Sequence, residues 1–417
     1  MKKKLLAIMV IAMIIPAVVC AKGRKKEKVV TLNLRMGVYS PVNLIKAFEA
    51  ENPDIKINWI KMPSNSDTVH DSLVTMLSAG DDTTDIYSVD VVWPAEFASS
   101  GWALPLNKYL TTAEKNQYLK GPLNAGIYKG ETWALPLFTD GGMLYYRADL
   151  LEKYGYKPPK SWDELVKIAK DIQSKEKDMI GFTWQGAQYE GLICNALEYI
   201  WGNDADVLGT NGKAVLNSPN AAEAIQFMAD LIHKYQITPE GVVNWTEEES
   251  LKVFLDGRAV FMRNWPYAWQ ECEKSGVVRG KVGVVPMPKG FHGKDGAACL
   301  GGWSLMIAAN TKHAAEAVKF IKFATSTDTG QKAIMYENGV IPVLDRLYHD
   351  KEVIAKYPYY TNFYNVFLTT HPRPVSPYYA ELSDAMQVDI HSVLLGEKTA
   401  VQMLPGLETG LNKILSQ

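Results

Sequence analysis

The 417-residue chain contains only four cysteines, which excludes a fold held together by many disulfide bridges. Cys20 lies in the first apolar segment, and Cys194, Cys272 and Cys299 remain, an odd number, for the rest of the chain. Small exported domains that depend on disulfides are much richer in cysteine. Apolar packing must therefore support the structure, and 47% hydrophobic residues are enough for two or three domains of ordinary size.

The chain also lacks the short motifs of common enzymes. We find no G-x-S-x-G nucleophile elbow, no H-E-x-x-H zinc helix, no G-x-x-x-x-G-K-[ST] phosphate loop and no C-x-x-C pair. The seven histidines lie far apart in the sequence, so no local metal cluster is indicated. We expect neither a cofactor nor a catalytic residue.

No charge of one sign dominates the composition. The 44 basic and 46 acidic residues leave a formal net charge of -2. A polyanion such as nucleic acid would meet no attractive field of the whole protein. We therefore expect no nucleic-acid partner.

One long apolar run is present, at the start of the chain. Three lysines precede the run from Leu5 to Ile15, and small or β-branched residues lead up to Cys20 and Ala21. The run is too short to span a bilayer, which predicts a signal peptide over residues 1–21 and a basic tether over 22–28. Cleavage after Ala21 gives a free exported protein, the form we favour, whereas cleavage before Cys20 would leave a lipid anchor. In either form the protein lies in the periplasm or on the outer face of the membrane.

Hydrophobic periodicity predicts strands and helices in alternation. Strand patterns at 29–36, 56–61 and 85–90 are separated by helical patterns that end near Asn52 and Gly80. Strands joined by helical crossovers build a parallel sheet, and the fold class is therefore α/β.

The later part of the chain repeats this alternation without a Gly/Ser-rich linker. We predict two lobes joined by short crossings near residues 137–139, 286–288 and 326–327. The predicted lobe 1 consists of residues 29–139 and 288–326, and lobe 2 consists of residues 140–287 and 327–417.

Aromatic residues are frequent, with 11 Trp and 21 Tyr, and several lie beside strand ends. Trp265, Tyr267 and Trp269 follow one predicted strand, and two glycines precede Trp303. A sugar ring packs its C–H face on an aromatic plane, whereas its hydroxyl rim needs polar partners. Most tryptophans are core residues, and Trp269 is the one we assign to the core. Trp303 is the better ligand contact, because glycine permits close approach.

Two carboxylates, Asp90 and Asp140, are placed to face a crevice at the ends of predicted strands. An exported glycoside hydrolase would use such a pair, and a helix or turn cap is the alternative without ligand. A carboxylate that accepts hydrogen bonds from neighbouring sugar hydroxyls fits better, because neither residue lies in an obviously apolar pocket.

The remaining candidates for ligand binding are pairs of adjacent tyrosines and one arginine. Adjacent tyrosines such as Tyr145 and Tyr146 could bind a metal, so a metal or anion receptor is a further alternative. Arg373 lies between Pro372 and Pro374, whose stiff backbone could direct its guanidinium into a cleft or onto a surface ion pair.

Eight short stretches of the chain lie, in order, at residues 48–55, 134–136, 144–151, 158–165, 184–191, 263–267, 301–303 and 373–374. Taken together in this order, they resemble the solute-binding proteins of carbohydrate ABC transporters, a family that includes trehalose/maltose-binding and maltodextrin-binding proteins. The resemblance covers nearly the whole mature chain.

The resemblance implies the two-lobed, type II periplasmic-binding-protein fold of maltose-binding proteins, with a hinge and a ligand cleft between the lobes. It implies a monomer that delivers a mono-, di- or short oligosaccharide to the permease subunits of an ABC transporter. The site residues that it implies are Asp90, Asp140, Gln185, Tyr189, Trp265, Tyr267, Gly302, Trp303 and Arg373.

Two positions depart from the trehalose/maltose branch. That branch has an acidic residue after the first strand, where this chain has Gly37 to Pro41, and an arginine near the second helix, where this chain has Val69 and His70. Both changes fall in lobe 1, and they leave the choice of sugar open.

Overall fold

A computed structural model describes residues 29–357, 359–367 and 370–417. The predicted signal peptide, the tether and Cys20 lie outside the described residues. Within these ranges we find no helix with the length and apolar character that a membrane crossing requires.

The described chain alternates between strands and helices. The strands are β1 (Val30–Met36), β2 (Ile55–Lys61), β3 (Ile86–Asp90), β4 (Ile127–Tyr128), β5 (Glu131–Thr132), β6 (Leu135–Gly141), β7 (Met143–Arg147), β8 (Ile180–Thr183), β9 (Ala259–Asn264), β10 (Val282–Val285), β11 (Ala298–Ile307) and β12 (Thr370–His371). The helices are α1 (Val42–Glu51), α2 (Ser66–Ser78), α3 (Pro94–Ser99), α4 (Thr112–Lys115), α5 (Lys120–Ala125), α6 (Ala148–Lys153), α7 (Trp162–Lys175), α8 (Glu190–Gly202), α9 (Pro219–His233), α10 (Glu247–Leu255), α11 (Tyr267–Lys274), α12 (Ala314–Ser326), α13 (Asp328–Asn338), α14 (Lys351–Lys356), α15 (Tyr360–Phe367), α16 (Tyr379–Leu394) and α17 (Ala400–Leu415).

The first sheet has the order β12-β11-β3-β1-β2, and β6 pairs with β11. β1 pairs in parallel with β2 and β3, which confirms the parallel arrangement predicted from the first three strands. β11 runs antiparallel to both β3 and β6, so the complete sheet is mixed. All residues of β3 and β11 are buried, as expected of strands covered on both faces.

The second sheet has the order β10-β7-β9-β8. Helix α7 packs on it, and α8, α9, α16 and α17 pack against one another beside it. The α7 start was predicted from Ser161, whose hydroxyl accepts a hydrogen bond from the Glu164 N–H at 3.3 Å. Leu165, Ile168 and Ile172 form its buried face.

The part of the chain that the structure describes passes between the two sheets three times, and the third passage differs from the prediction. The first passage lies at Gly142 and the second between β10 and β11, close to the predicted crossings. The predicted crossing at 326–327 is wrong, because Thr327 caps α13 directly and α13 packs back against α1 and α12. The following residues Val340 to Leu344 are buried in the same core.

The third passage lies between β12 and α16 instead, through the segment that contains Arg373. Residues 327–357 and 359–367 therefore pack largely with the first sheet, although we had assigned them to lobe 2. The bounds of the lobes as independently moving units stay a prediction.

Candidate ligand-binding site

A cavity of about 210 Å³ lies in the crevice between the two sheets. The first sheet contributes Asp90 at the end of β3, Asp140 in β6 and Trp303 in β11. In the antiparallel register Trp303 pairs with Asp90, and Gly301 pairs with Asp140. The lining residues are Val38, Tyr39, Ser64, Asn65, Ser66, Asp90, Asp140, Tyr189, Glu190, Gly191, Cys194, Thr246, Glu247, Glu248, Trp265, Tyr267, Gly301, Gly302, Trp303 and Arg373.

Glycine at 301 and 302 permits the close approach on which this side of the cavity depends. Gly302 has φ +122°, and a Cβ there would lie 2.5 Å from the Phe138 carbonyl oxygen. A Cβ on Gly301 would lie 2.9 Å from Cζ3 of the Trp265 ring. The Gly302 carbonyl accepts a hydrogen bond from the Val91 N–H at 3.2 Å, and a ligand contact by the Gly302 backbone stays a prediction.

Trp265 is fixed by neighbours on one face and at its nitrogen. The Arg263 guanidinium carbon lies 3.9 Å from the ring centroid, within the range of a cation–π contact. Its Nε1–H donates to Oε1 of Glu247 at 3.1 Å. The face opposite Arg263 is therefore the one that can receive a ligand. Trp303 is braced edge-on by Trp93, with ring centroids 5.2 Å apart.

A fully buried ion pair lies beneath Trp265. Arg263 Nε and Nη2 donate to the two carboxylate oxygens of Glu198 at 2.9 and 2.7 Å, and both side chains are 0% exposed. Burial opposes the charged guanidinium, but the Glu198 carboxylate raises the pKa of Arg263 above its ordinary value. The guanidinium therefore stays charged under the aromatic ring.

Gln185 supports the Arg263–Glu198 ion pair and does not line the cavity. Its Nε2 donates to Ser250 Oγ at 2.8 Å and to the Arg263 carbonyl at 3.0 Å, and its Oε1 accepts from Asn195 and Arg263. The amide is thus fully engaged and 0% exposed. The predicted ligand contact at Gln185 is wrong, because the side chain turns inward to hold Arg263.

Tyr189 and Tyr267 line the cavity, and their contact with a ligand stays a prediction. Their hydroxyls donate to Glu247 Oε2 at 2.7 Å and to Glu248 Oε1 at 3.2 Å, respectively. Burial raises the pKa of both phenols, which therefore remain protonated donors. Trp269 lies elsewhere, 4.7 Å from Tyr359 between ring centroids, in agreement with its assignment to the core.

Arg373 connects the two sides of the crevice. Its Nη2 donates to Asp90 Oδ1 at 2.7 Å and its Nη1 donates to Glu190 Oε1 at 2.5 Å. Tyr379 and Ser383 also donate to the Glu190 carboxylate. The predicted surface alternative for Arg373 is wrong, because the residue is 3% exposed.

Asp140 is the least compensated carboxylate of the cavity. Its surroundings are more apolar than the sequence indicated, because burial, reinforced by the charge of Asp90, raises its pKa well above the usual range, while Arg263 opposes the shift. Among the residues that the structure describes, nothing donates a hydrogen bond to its buried Oδ1. A ligand hydroxyl at this position would supply the missing hydrogen bond.

The sequence did not reveal four of the polar lining residues, Tyr39, Glu190, Glu247 and Glu248. Tyr39 lies in the loop after β1 that we had singled out for its lack of an acidic residue. Glu247 and Glu248 follow Thr246, and the Thr246-x-x-Glu249 capping box could have located them at a helix start. Nothing in the local sequence distinguishes Glu190 from a solvated helix residue.

The sequence profile described as bacterial extracellular solute-binding protein matches residues 39–331. The chain belongs to this family. An ABC transporter-binding protein of Deinococcus radiodurans is 35% identical over 368 residues, which is 86% of each chain.

Solved structures agree with the predicted architecture. Maltose-bound T. maritima MalE3 is 39% identical, has a TM-score of 0.86 and matches 93% of this chain and 99% of its own. A tagatose-bound solute-binding protein from Thermotoga lettingae is 26% identical, with a TM-score of 0.83 over 93% of this chain and 100% of its own. The predicted maltose-binding-protein-like fold is thus confirmed, and this solute-binding protein is a transporter component and not an enzyme.

A second acidic contact joins the two sides of the solute-binding protein at the edge of the cavity. Asp67 on α2 accepts from Ser66 Oγ at 3.1 Å and, more weakly, from Gln387 Nε2 of α16 at 3.4 Å. Burial and the nearby Glu190 carboxylate raise the pKa of Asp67 to about 6. Asp384 faces it from α16, and His70 and Asp71 lie near Asp384.

The buried ion pair predicts a large loss of stability on removal of one partner. Glu198→Gln leaves Arg263 with an uncompensated buried charge and should lower the free energy of unfolding by about 3–5 kcal/mol. Denaturant unfolding measures this change. Glu271→Gln is the control, because it breaks the exposed Lys274–Glu271 pair and should change stability by less than about 0.5 kcal/mol. Similar losses in both variants would refute the structural role of Glu198.

The raised pKa of Asp67 predicts that replacing this residue with a neutral one stabilises the folded protein by an amount that depends on pH. The folded protein binds the Asp67 proton up to about pH 6, whereas the unfolded chain releases it near pH 4. The carboxylate therefore costs stability progressively as pH rises through this window. Asp67→Asn should raise the melting temperature at pH 7.5, and the gain should shrink towards pH 4. The exposed Asp71→Asn serves as control, and a gain independent of pH would contradict the prediction.

Proposed function

We propose that the protein binds a mono-, di- or short oligosaccharide of the maltose or trehalose type between its lobes and delivers it to an ABC transporter permease. One observation carries the proposal: Trp265 lines the same cavity as Asp140, whose buried Oδ1 accepts no hydrogen bond from the described residues. MalE3 was solved with maltose and the Thermotoga lettingae protein with tagatose, so similar proteins accept sugars of different sizes.

The chemistry of a sugar matches this combination of surfaces. The C–H face of a pyranose packs on an aromatic ring such as Trp265, while its hydroxyls donate to carboxylates at the ring edge. Trp303 provides a second aromatic surface on the opposite side of the crevice. Neither feature requires a charged ligand.

Lobe closure supplies the proposed mechanism. Asp90 belongs to the first sheet, Glu190 to a helix beside the second sheet, and Arg373 lies in the third passage between them. A sugar that contacts both sides favours the closed form by its additional contacts there. Binding is thereby converted into a shape that a permease can distinguish from the open form.

The two alternatives receive less support. A glycoside hydrolase that uses Asp90 and Asp140 conflicts with membership in a family of binding proteins. An anion receptor conflicts with the charges of the described lining residues, five of which are acidic while Arg373 alone is basic. A metal site has no support among the described residues, where no group of three or more His, Cys, Asp or Glu side chains is suitably arranged.

Calorimetry with glucose, tagatose, maltose, trehalose and maltotriose tests the proposal. We expect at least one of these sugars to bind, and Trp265→Ala and Trp303→Ala each to weaken binding about tenfold or more through loss of an aromatic contact. Trp269→Ala, outside the cavity, is the control for general damage. The sugar should be recovered unchanged after long incubation.

Three results would contradict the proposal. The panel could show no binding, both cavity variants could bind as tightly as the parent, or the sugar could be hydrolysed in a reaction that Asp140→Asn abolishes.

A further inference from the structure

The first turn of α10 carries three consecutive glutamates whose side chains make different contacts. Glu249 turns back to the helix start, where Oε2 accepts from the Thr246 N–H at 2.9 Å and from the Thr246 hydroxyl at 2.7 Å. This capping box fixes where the helix begins. Glu247 and Glu248 line the cavity instead.

Glu247 joins two aromatic residues that come from different elements. Oε1 accepts from the indole Nε1–H of Trp265 after β9, at 3.1 Å, and Oε2 accepts from the hydroxyl of Tyr189 before α8, at 2.7 Å. Hydrogen bonds to an ionised carboxylate are stronger than those between neutral groups. One side chain thus sets the distance between two lining residues.

The other described contacts of the Trp265 ring do not fix its rotation, and Glu247 therefore does. Arg263 packs on one face of the ring and Gly301 lies beside it, and neither contact is directional enough to fix rotation within the ring plane. The hydrogen bond at Nε1 does fix that rotation. Glu248 adds a parallel contact to Tyr267 at 3.2 Å.

We propose that Glu247 is a positioning residue for sugar recognition, which holds the Trp265 and Tyr189 rings in the arrangement that the ligand contacts. This inference rests on the proposed function. Specificity then depends on the acidic first turn of α10 as well as on the residues that touch the sugar.

Substitution of Glu247 tests the inference with maltose or, if another sugar of the panel binds more tightly, with that sugar. Glu247→Ala removes both acceptors and should weaken binding about tenfold. Glu247→Gln should restore part of the affinity, because its amide can accept from Trp265 and donate to the Tyr189 hydroxyl. Glu249→Gln keeps the capping box, Lys252→Ala changes an exposed residue of the same helix, and both should bind as the parent does.

A double-mutant cycle separates positioning from general damage. Trp265→Phe keeps a ring but lacks the Nε1–H, so Glu247→Ala should cost at least threefold less affinity in that background than in the parent. Melting temperatures show whether each variant is folded. The inference would be overturned if Glu247→Ala lowered the affinity equally in both backgrounds, or if Glu247→Ala bound sugar as tightly as the parent protein. In either case, sugar binding by the parent protein would still support the proposed function. Absence of sugar binding by the parent would remove both.

Discussion

The fully buried ion pair between Arg263 and Glu198 is the constraint on which the rest of the site depends. Two charges removed from water are tolerated only when their hydrogen-bonding capacity is used, and here Gln185 and the Cys299 N–H complete the network. The Cys299 N–H lies 3.0 Å from Glu198 Oε1, which ties the start of β11 to α8. A Cβ on Gly142 would lie 1.8 Å from the same oxygen, so the first passage between the sheets requires glycine.

The ion pair also limits which face of the Trp265 ring a ligand can reach. The Arg263 guanidinium covers one side of Trp265, and Glu247 holds the indole nitrogen. The rigid ring is then presented to a crevice whose other side carries Trp303 and Asp140. Preorganised contacts of this kind reduce the entropy lost on binding, because few side chains must be ordered by the ligand.

Much of this arrangement could be predicted from the sequence. The parts that could not be predicted share one cause. The strands that end in Asp90 and before Trp265 follow from local hydrophobic patterns, and the α7 start follows from its cap. Contacts between segments distant in the chain leave no such local pattern. Gln185 lies 78 positions from Arg263, and α13 folds back on α1 across almost 300 residues. Glu190 was missed for the same reason, since its partner Arg373 lies 183 positions away.

The crystal structure of the protein with the tightest-binding sugar of the panel tests the central claim most directly. The account predicts the sugar ring within about 4 Å of the Trp265 face opposite Arg263, and a sugar hydroxyl within about 3.2 Å of Asp140 Oδ1. A sugar bound outside the crevice, or one that leaves both Trp265 and Asp140 without contact, would contradict it.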